Sequence, residues 1–215
     1  RRLQVDAPIV TLITETVVSR GDPAFGNPTK PVGPFYTEAR AKELAIESGY
    51  AMREDAGRGW RRGVPSPEPV EIVQRDAIRA LVDLGAVVIC TGGGGVPVVR
   101  ARDESLSGTA AVIDKDLAAA RLAVDLGADV LLVLTDVANV FLDFKLPTQR
   151  PLHRVGAAEM QRYLSEGHFK AGSMGPKVEA CLRVVHNGGL GIIASLTEAL
   201  EAMEGRAGTR ITLDG

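Results

Sequence analysis

The sequence predicts an α/β fold, a three-layer α/β/α sandwich around a mainly parallel sheet. Three observations carry that expectation. Apolar, β-branched runs of strand length recur at Ile9–Val18, Ala86–Cys90, Asp129–Leu134 and Leu190–Ala194. Amphipathic stretches of helical length separate most of them, and glycines or capping residues bound those stretches. Strands alternating with helices imply crossover connections and a sheet covered on both faces.

Taken in order, Ile9–Val18 reads as one buried strand. Gly21-Asp-Pro-Ala-Phe-Gly-Asn-Pro28 then breaks regular structure, and Thr29-Lys-Pro-Val-Gly-Pro34 continues the break, placing Lys30 on a loop braced by prolines. Thr37 is the N-cap of a helix through Ser48 that Gly49 stops. Tyr50–Arg53 and Trp60–Val64 form a short hairpin, and Pro65-Ser-Pro-Glu-Pro69 closes the segment. Residues 27–67 therefore read as a small subdomain projecting from a single domain spanning 1–215. Beyond it come a helix over Gln74–Leu84 and the strand Ala86–Cys90. Helices follow over Gly156–Ser165, Pro176–His186 and Leu196–Met203, with a closing strand at Thr209–Leu213.

Composition narrows the function. The 25 basic and 27 acidic residues nearly cancel, so no bulk field favours nucleic acid or an acidic membrane. Aromatic residues are only 4% of the chain, too few for base-stacking platforms. No apolar run reaches the roughly 18 residues of a membrane span. Cys90 and Cys181 have no CxxC spacing and read as buried free thiols of a reducing, cytoplasmic compartment. The start, Arg1-Arg-Leu-Gln-Val-Asp6, has neither a methionine nor a leader's apolar core, so the chain is expected to be the later part of a longer protein.

Three motifs, and one lone lysine beside them, are candidates for chemistry. Ala111-Val-Ile-Asp-Lys-Asp-Leu117 reads as an apolar strand end, a turn with Lys115 between Asp114 and Asp116, and the start of a helix. On its own the turn reads first as an acidic helix cap and second as a ligand site at the sheet's carboxyl edge. Gly92, Gly93, Gly94 and Gly95 follow a strand and let backbone N–H groups approach an anion. They form neither a dinucleotide fingerprint nor a P-loop, because Pro97 or Val98 stands where the third glycine belongs and no GxxxxGK[ST] occurs. Gly172-Ser-Met-Gly-Pro-Lys177 opens a helix whose first turn attracts phosphate, with Lys177 adding a cation that the helix dipole disfavours. Lys30 alone reads as a solvated lysine. His153, His168 and His186 show no metal spacing, and no histidine dyad or serine elbow supports hydrolytic or covalent chemistry.

Together, Asn27-Pro-Thr-Lys-Pro-Val-Gly-Pro-Phe-Tyr36, Gly59-Trp-Arg-Arg62 with Val64-Pro-Ser-Pro67, Gly92–Pro97, Ala111–Leu117 and Gly172–Lys177 resemble the carbamate kinases of the amino-acid kinase family. The resemblance runs along essentially the whole chain. It implies reversible phosphoryl transfer between ATP and carbamate, giving ADP and carbamoyl phosphate, with Mg²⁺ accompanying the nucleotide. It implies that Lys115 and Lys177 bind the ATP phosphates, that Asp116 orients them, and that Gly92–Gly95 cradles carbamate. By the same resemblance Lys30 reaches onto carbamoyl phosphate, while Thr135, Asp136, Val137, Met174, Gly175 and Pro176 border the nucleotide. It further implies a homodimer making ATP in arginine breakdown through the arginine deiminase pathway. Three lysines and glycine backbone suit a reaction that needs positioning and charge neutralisation rather than a covalent nucleophile.

One departure stands out. The family pattern opens with a strand and a Gly-Gly-Asn-Ala type loop that helps hold phosphate, and no such run occurs here. The chain is therefore expected to lack an N-terminal portion, to expose an apolar edge at Ile9–Val18 and to turn over slowly or not at all. Another phosphotransferase of the family, acting on a carboxylate or phosphonate, and an inactive fragment are the alternative readings.

Overall fold

The computed structural model describes residues 6–55, 57–170 and 173–214. The first five residues, Ala56 and Gly172 of the lysine-bearing motif lie outside them.

The run Ile9–Val18 is two strands rather than one. β1 (Ile9–Thr11) pairs in parallel with Val87–Ile89, whereas β2 (Glu15–Val17) pairs in parallel with Val96–Val98 and antiparallel with Glu71–Ile72. The change of partner happens at Thr14, whose hydroxyl accepts the Thr91 N–H (2.9 Å) and whose carbonyl accepts the Val96 N–H (2.8 Å). Thr14 and Thr16 are buried, and a uniformly apolar strand would have no side-chain acceptor at this switch. Ile9 and Ile13 stand exposed there, as do Val87 and Ile89 across the pair.

Lys30 begins a strand and not a loop. β3 (Lys30–Tyr36) accommodates Pro31 and Pro34 because it is an edge strand whose ladder shifts between Val32 and Tyr36. α1 (Glu38–Ser48) follows, capped by the Thr37 hydroxyl, which accepts the Arg40 N–H, and ended by Gly49 in the left-handed conformation. β4 (Met52–Glu54) and β5 (Trp60–Val64) complete a three-stranded sheet of order β3-β5-β4.

β6 (Glu71–Ile72), α2 (Arg75–Asp83) and β7 (Val87–Ile89) lead to β8 (Val96–Arg100) and β9 (Leu106–Gly108). Strands β6-β2-β8-β9 make one four-stranded sheet. Ala111–Ile113, expected as a strand end, is irregular: the Val112 N–H donates to the Pro65 carbonyl (2.9 Å) instead of to a ladder. α3 (Lys115–Leu126) starts directly after it, and β10 (Val130–Thr135) follows.

The remaining elements are the hairpin β11 (Val140–Leu142) and β12 (Arg150–Leu152), β13 (Arg154–Gly156), α4 (Ala157–Ser165), α5 (Met174–His186), β14 (Leu190–Ser195), α6 (Ala199–Met203) and β15 (Thr209–Thr212). The second four-stranded sheet, β10-β14-β15-β13, is parallel between β10 and β14 and between β13 and β15. Its strands bury alternate residues on opposite faces. Leu131, Val133 and Ile193 pack on Val178, Cys181 and Leu182 of α5, while Val130, Leu132, Ile192 and Ala194 pack on Ala202 of α6. Helices thus cover both faces, and α3 lies against α5 through Ala120, Ala123, Ala180 and Val184. Small residues at that contact bring the N-termini of α3 and α5 side by side.

Candidate active site

Those two N-termini and the first residue of β3 build the site. Asp114 caps α3: its Oδ1 accepts the Asp116 N–H (2.9 Å) and the Leu117 N–H (3.4 Å). Its other oxygen accepts Lys30 Nζ at 2.8 Å. Burial raises the Asp114 carboxyl pKa, but the Lys30 hydrogen bond and charge and the two backbone N–H groups outweigh it, so the group sits below the usual carboxylate value.

Asp116 lies one residue inside α3 and accepts Lys177 Nζ at 2.7 Å. Lys177 occupies the first turn of α5, where its charge opposes the helix dipole, and the Asp116 carboxylate offsets that opposition. Both side chains are largely covered, at 14% and 13% exposed. Lys115 differs. Its side chain is 62% exposed, with Nζ 3.9 Å from Asp116 Oδ1, so the sequence neighbours do not clamp it between them. Each carboxylate instead holds a lysine from a distant part of the chain.

These residues line a cavity of about 250 Å³, together with Gly93, Val112, Ile113 and Ser173. Three lysines face two carboxylates there, leaving one formal positive charge. Of the four glycines, Gly93 reaches the cavity wall. Gly94 and Gly95 spend their N–H groups on the Thr91 and Gly92 carbonyls in a tight turn. Both have positive φ, and a Cβ at Gly94 would lie 2.5 Å from the Ile113 oxygen and one at Gly95 2.4 Å from Thr16 Oγ1. Packing therefore demands glycine at these two, and Thr16 Oγ1 locks the turn by donating to the Gly94 carbonyl (2.7 Å).

A second cavity, of about 480 Å³, adjoins the first and shares Ser173 and Lys177 with it. Thr135, Asp136, Val137 and Met174 line it; Gly175 and Pro176 are not on its wall. Its apolar side is Phe141, Phe144, Leu146 and Phe169, with Phe141 and Phe144 tilted at 6.0 Å between ring centroids. His168 is on this wall too, with Nε2 3.4 Å from Glu166 Oε2 and Nδ1 3.8 Å from Asp143 Oδ1. The chain thus places a pocket of nucleoside size, with an aromatic side, next to a small lysine-rich one.

Residues 8–194 match the amino acid kinase family. The chain belongs to that family. Among relatives of this amino acid kinase, the carbamate kinase of Pyrococcus horikoshii is 52% identical, over 99% of this chain and 68% of its own length. The carbamate kinase of Clostridium perfringens is 49% identical, over 96% of this chain and 66% of its own. The solved carbamate kinase of Giardia lamblia bound to AMP-PNP superposes with a TM-score of 0.86 at 49% identity, over 96% of this chain and 66% of that one. This amino acid kinase therefore spans about two thirds of the length of the relatives it matches.

Asp114's hold on Lys30 and the aromatic wall were not read from the sequence. Asp114 was visible as a helix cap, but nothing local names its partner, 84 residues away. Phe141 sits in an ordinary apolar strand and Phe144 in a loop, which leaves the wall without a pattern of its own.

Proposed function

We propose that this amino acid kinase transfers a phosphoryl group reversibly between ATP and carbamate. The observation that carries the reading is the adjacency of the two cavities through Ser173 and Lys177, with the Lys30–Asp114 and Lys177–Asp116 pairs facing the smaller one. The larger cavity takes the adenosine, its base against Phe141 and Phe144. The smaller takes the carbamate end.

In the ATP-forming direction, a β-phosphate oxygen of ADP attacks the phosphorus of carbamoyl phosphate. The new P–O bond forms as the bond to the carbamate oxygen breaks, and carbamate leaves with that electron pair. Charge spreads over the transferred group, so fixed cations are the principal aid the protein gives. Lys177 and Lys115 serve the nucleotide side, Lys30 serves the carbamoyl phosphate side, and Asp116 holds Lys177 where it is needed. Asp114 does the same for Lys30. Gly93, with nothing within 4 Å of a Cβ position, leaves room for carbamate against the backbone.

Among the described residues no group of three or more His, Cys, Asp or Glu could hold a metal. Mg²⁺ is accordingly proposed to arrive with ATP or ADP, whose phosphates supply the ligands such an ion favours. An ATP-forming role in arginine breakdown, as a homodimer, is proposed with it as what the resemblance to carbamate kinases implies. The absence of a disulfide, with Cys90 and Cys181 both free, supports a cytoplasmic setting.

Conversion of ADP to ATP with carbamoyl phosphate tests this directly, comparing wild type with Lys30→Ala, Lys115→Ala and Lys177→Ala. Loss of turnover in all three supports the assignment, and an unchanged rate in any of them removes that lysine from its role. A panel of carboxylate and phosphonate substrates decides against another branch of the family. The alternative reading, nucleotide binding without turnover, has AMP-PNP binding without ATP formation as its signature.

A further inference from the structure

Lys30 is useful only if its backbone is fixed, because a lysine is a point charge on a flexible stem. Asp114 holds the head of the side chain. The approach to the residue is held elsewhere, on the far side of the three-stranded sheet.

Arg53, in β4, donates Nη2 to Asn27 Oδ1 (2.7 Å) and Nε to the Pro28 carbonyl (3.1 Å). Asn27 and Pro28 are the residues that lead into Lys30. Between β4 and β3 runs β5, and Gly63 of β5 sits under this contact. A Cβ on Gly63 would lie 2.8 Å from the Pro28 oxygen and 3.0 Å from Arg53 Cγ. Gly63 has no positive φ, so it is required for space and not for conformation. Its N–H donates to the Ala51 carbonyl (2.6 Å), which ties β5 to the start of β4 at the same level. The missing side chain lets the arginine stem and the Pro28 carbonyl meet across the middle strand.

The other subdomain arginines are otherwise engaged. Arg58 and Arg61 bind Asp55 and flank the Phe35 ring, Arg61 also donates Nε to the Gly33 carbonyl farther along β3 (2.9 Å), and Arg62 stacks on Tyr50. Arg53 alone among them grips the strand entry that carries Lys30.

We propose that Arg53, seated over Gly63, is a positioning residue for Lys30: it fixes the Asn27–Pro28 approach so that the lysine head meets Asp114 at the small cavity. The assignment of Lys30 to the substrate side rests on the function proposed above; the clamp itself does not require turnover to be seen. Removing Arg53 frees the entry of β3, and Lys30 then samples positions away from Asp114.

The titration of the Asp114 carboxyl carbon, followed by nuclear magnetic resonance in ¹³C-labelled protein, reads that separation. Lys30→Ala raises the Asp114 midpoint because the cation that held it down is gone. Arg53→Ala raises it in the same direction by a smaller amount, and Arg53→Lys, which keeps the stem but lacks the two-pronged head, falls between. Adding Arg53→Ala to Lys30→Ala shifts it no further. Arg58→Ala, which removes a different subdomain contact, leaves it at the wild-type value. Gly63→Ala reproduces Arg53→Ala from the opposite side of the contact.

An Asp114 midpoint unchanged by Arg53→Ala, while Lys30→Ala moves it, overturns the proposal and leaves the function intact. So does an equal shift from Arg58→Ala, which would mean general loosening of the subdomain. A Lys30→Ala variant with no shift overturns both the proposal and the Lys30–Asp114 pair. In turnover, Arg53→Ala raises KM for carbamoyl phosphate several-fold with KM for ADP unchanged, whereas loss of kcat alone contradicts a role through Lys30.

Discussion

Lys30 Nζ and Asp114 Oδ2 meet at 2.8 Å across 84 residues of chain, and the same carboxylate caps α3. One side chain thereby links the entry of the three-stranded sheet to the helix that opens the small cavity. Its two tasks are separable. Asparagine caps helices about as well as aspartate but carries no charge. Asp114→Asn is expected to keep most of the stability and to weaken the hold on Lys30, whereas Asp114→Ala loses about 1 kcal/mol from the cap alone. Urea unfolding of the two variants measures the difference, and equal losses would contradict the division.

The pH dependence follows from the same pair. Asp114 has a folded pKa below its ordinary value of 3.8, so its contribution is fully present above that value. It is lost as pH falls through the depressed folded value. Wild type is therefore expected to lose stability below about pH 4 more steeply than Asp114→Asn, with the two curves parallel at neutral pH. Thermal melts from pH 7 down to pH 2 check this. A steeper acid limb in the variant would reverse the sign of the argument.

Lys177 and Lys115 should part company in stability while agreeing in function. Lys177 is 14% exposed beside the similarly covered Asp116, so Lys177→Ala leaves a carboxylate poorly solvated and without its close partner. Breaking a partly buried pair in this way costs on the order of 2–3 kcal/mol. Lys115 is 62% exposed, and its removal changes stability by less than about 0.5 kcal/mol. If both serve the transfer as proposed, both substitutions are expected to lower its rate, by roughly 10²–10³ for a fixed charge-stabilising group. Denaturation midpoints set beside turnover numbers separate the two lysines.

The glycine run gives a graded series. Alanine at Gly94 or Gly95 meets the Ile113 oxygen or Thr16 Oγ1 at a positive φ, and is expected to cost more than about 2 kcal/mol. Gly93 has open space but a φ of 65°, so alanine there costs about 1 kcal/mol of backbone strain. Gly92 has neither restriction. Gly92→Ala should melt like wild type, and Gly93→Ala is the variant in which loss of carbamoyl phosphate binding outruns loss of stability.

Local signals were legible where local chemistry decides the structure. Thr37 and Gly49 bracket α1 as the sequence suggests, because capping depends on neighbours three or four residues away. Lys30 was misplaced on a loop because prolines oppose a central strand, and only the sheet order shows β3 to be an edge. Ile9–Val18 looked continuous because no glycine or proline interrupts its β-branched run, yet its strand partners change. In the site, the lysines and glycines announced themselves by type and clustering. Their partners did not: that Asp114 serves Lys30 and Asp116 serves Lys177 is fixed by how β3, α3 and α5 converge, over separations no spacing rule covers.

The aromatic wall of the larger cavity makes the last prediction, and it separates nucleotide binding from phosphate chemistry. Phe144 lies on that wall, half exposed, with its ring tilted against Phe141 and Lys145 Nζ 5.6 Å from its centroid. A half-exposed ring on that wall is within reach of a base held in the cavity, and removing a base–aromatic stack costs about 1–3 kcal/mol. Phe144→Ala is thus expected to weaken AMP-PNP binding by roughly 10- to 100-fold. Because Phe144 does not line the smaller cavity, the affinity for carbamoyl phosphate alone should not change. Calorimetric titration of each ligand separately provides the measurement. Equal weakening of both would mean that Phe144 supports the fold around the site and not the base, and unchanged AMP-PNP affinity would move the adenine to another part of the cavity.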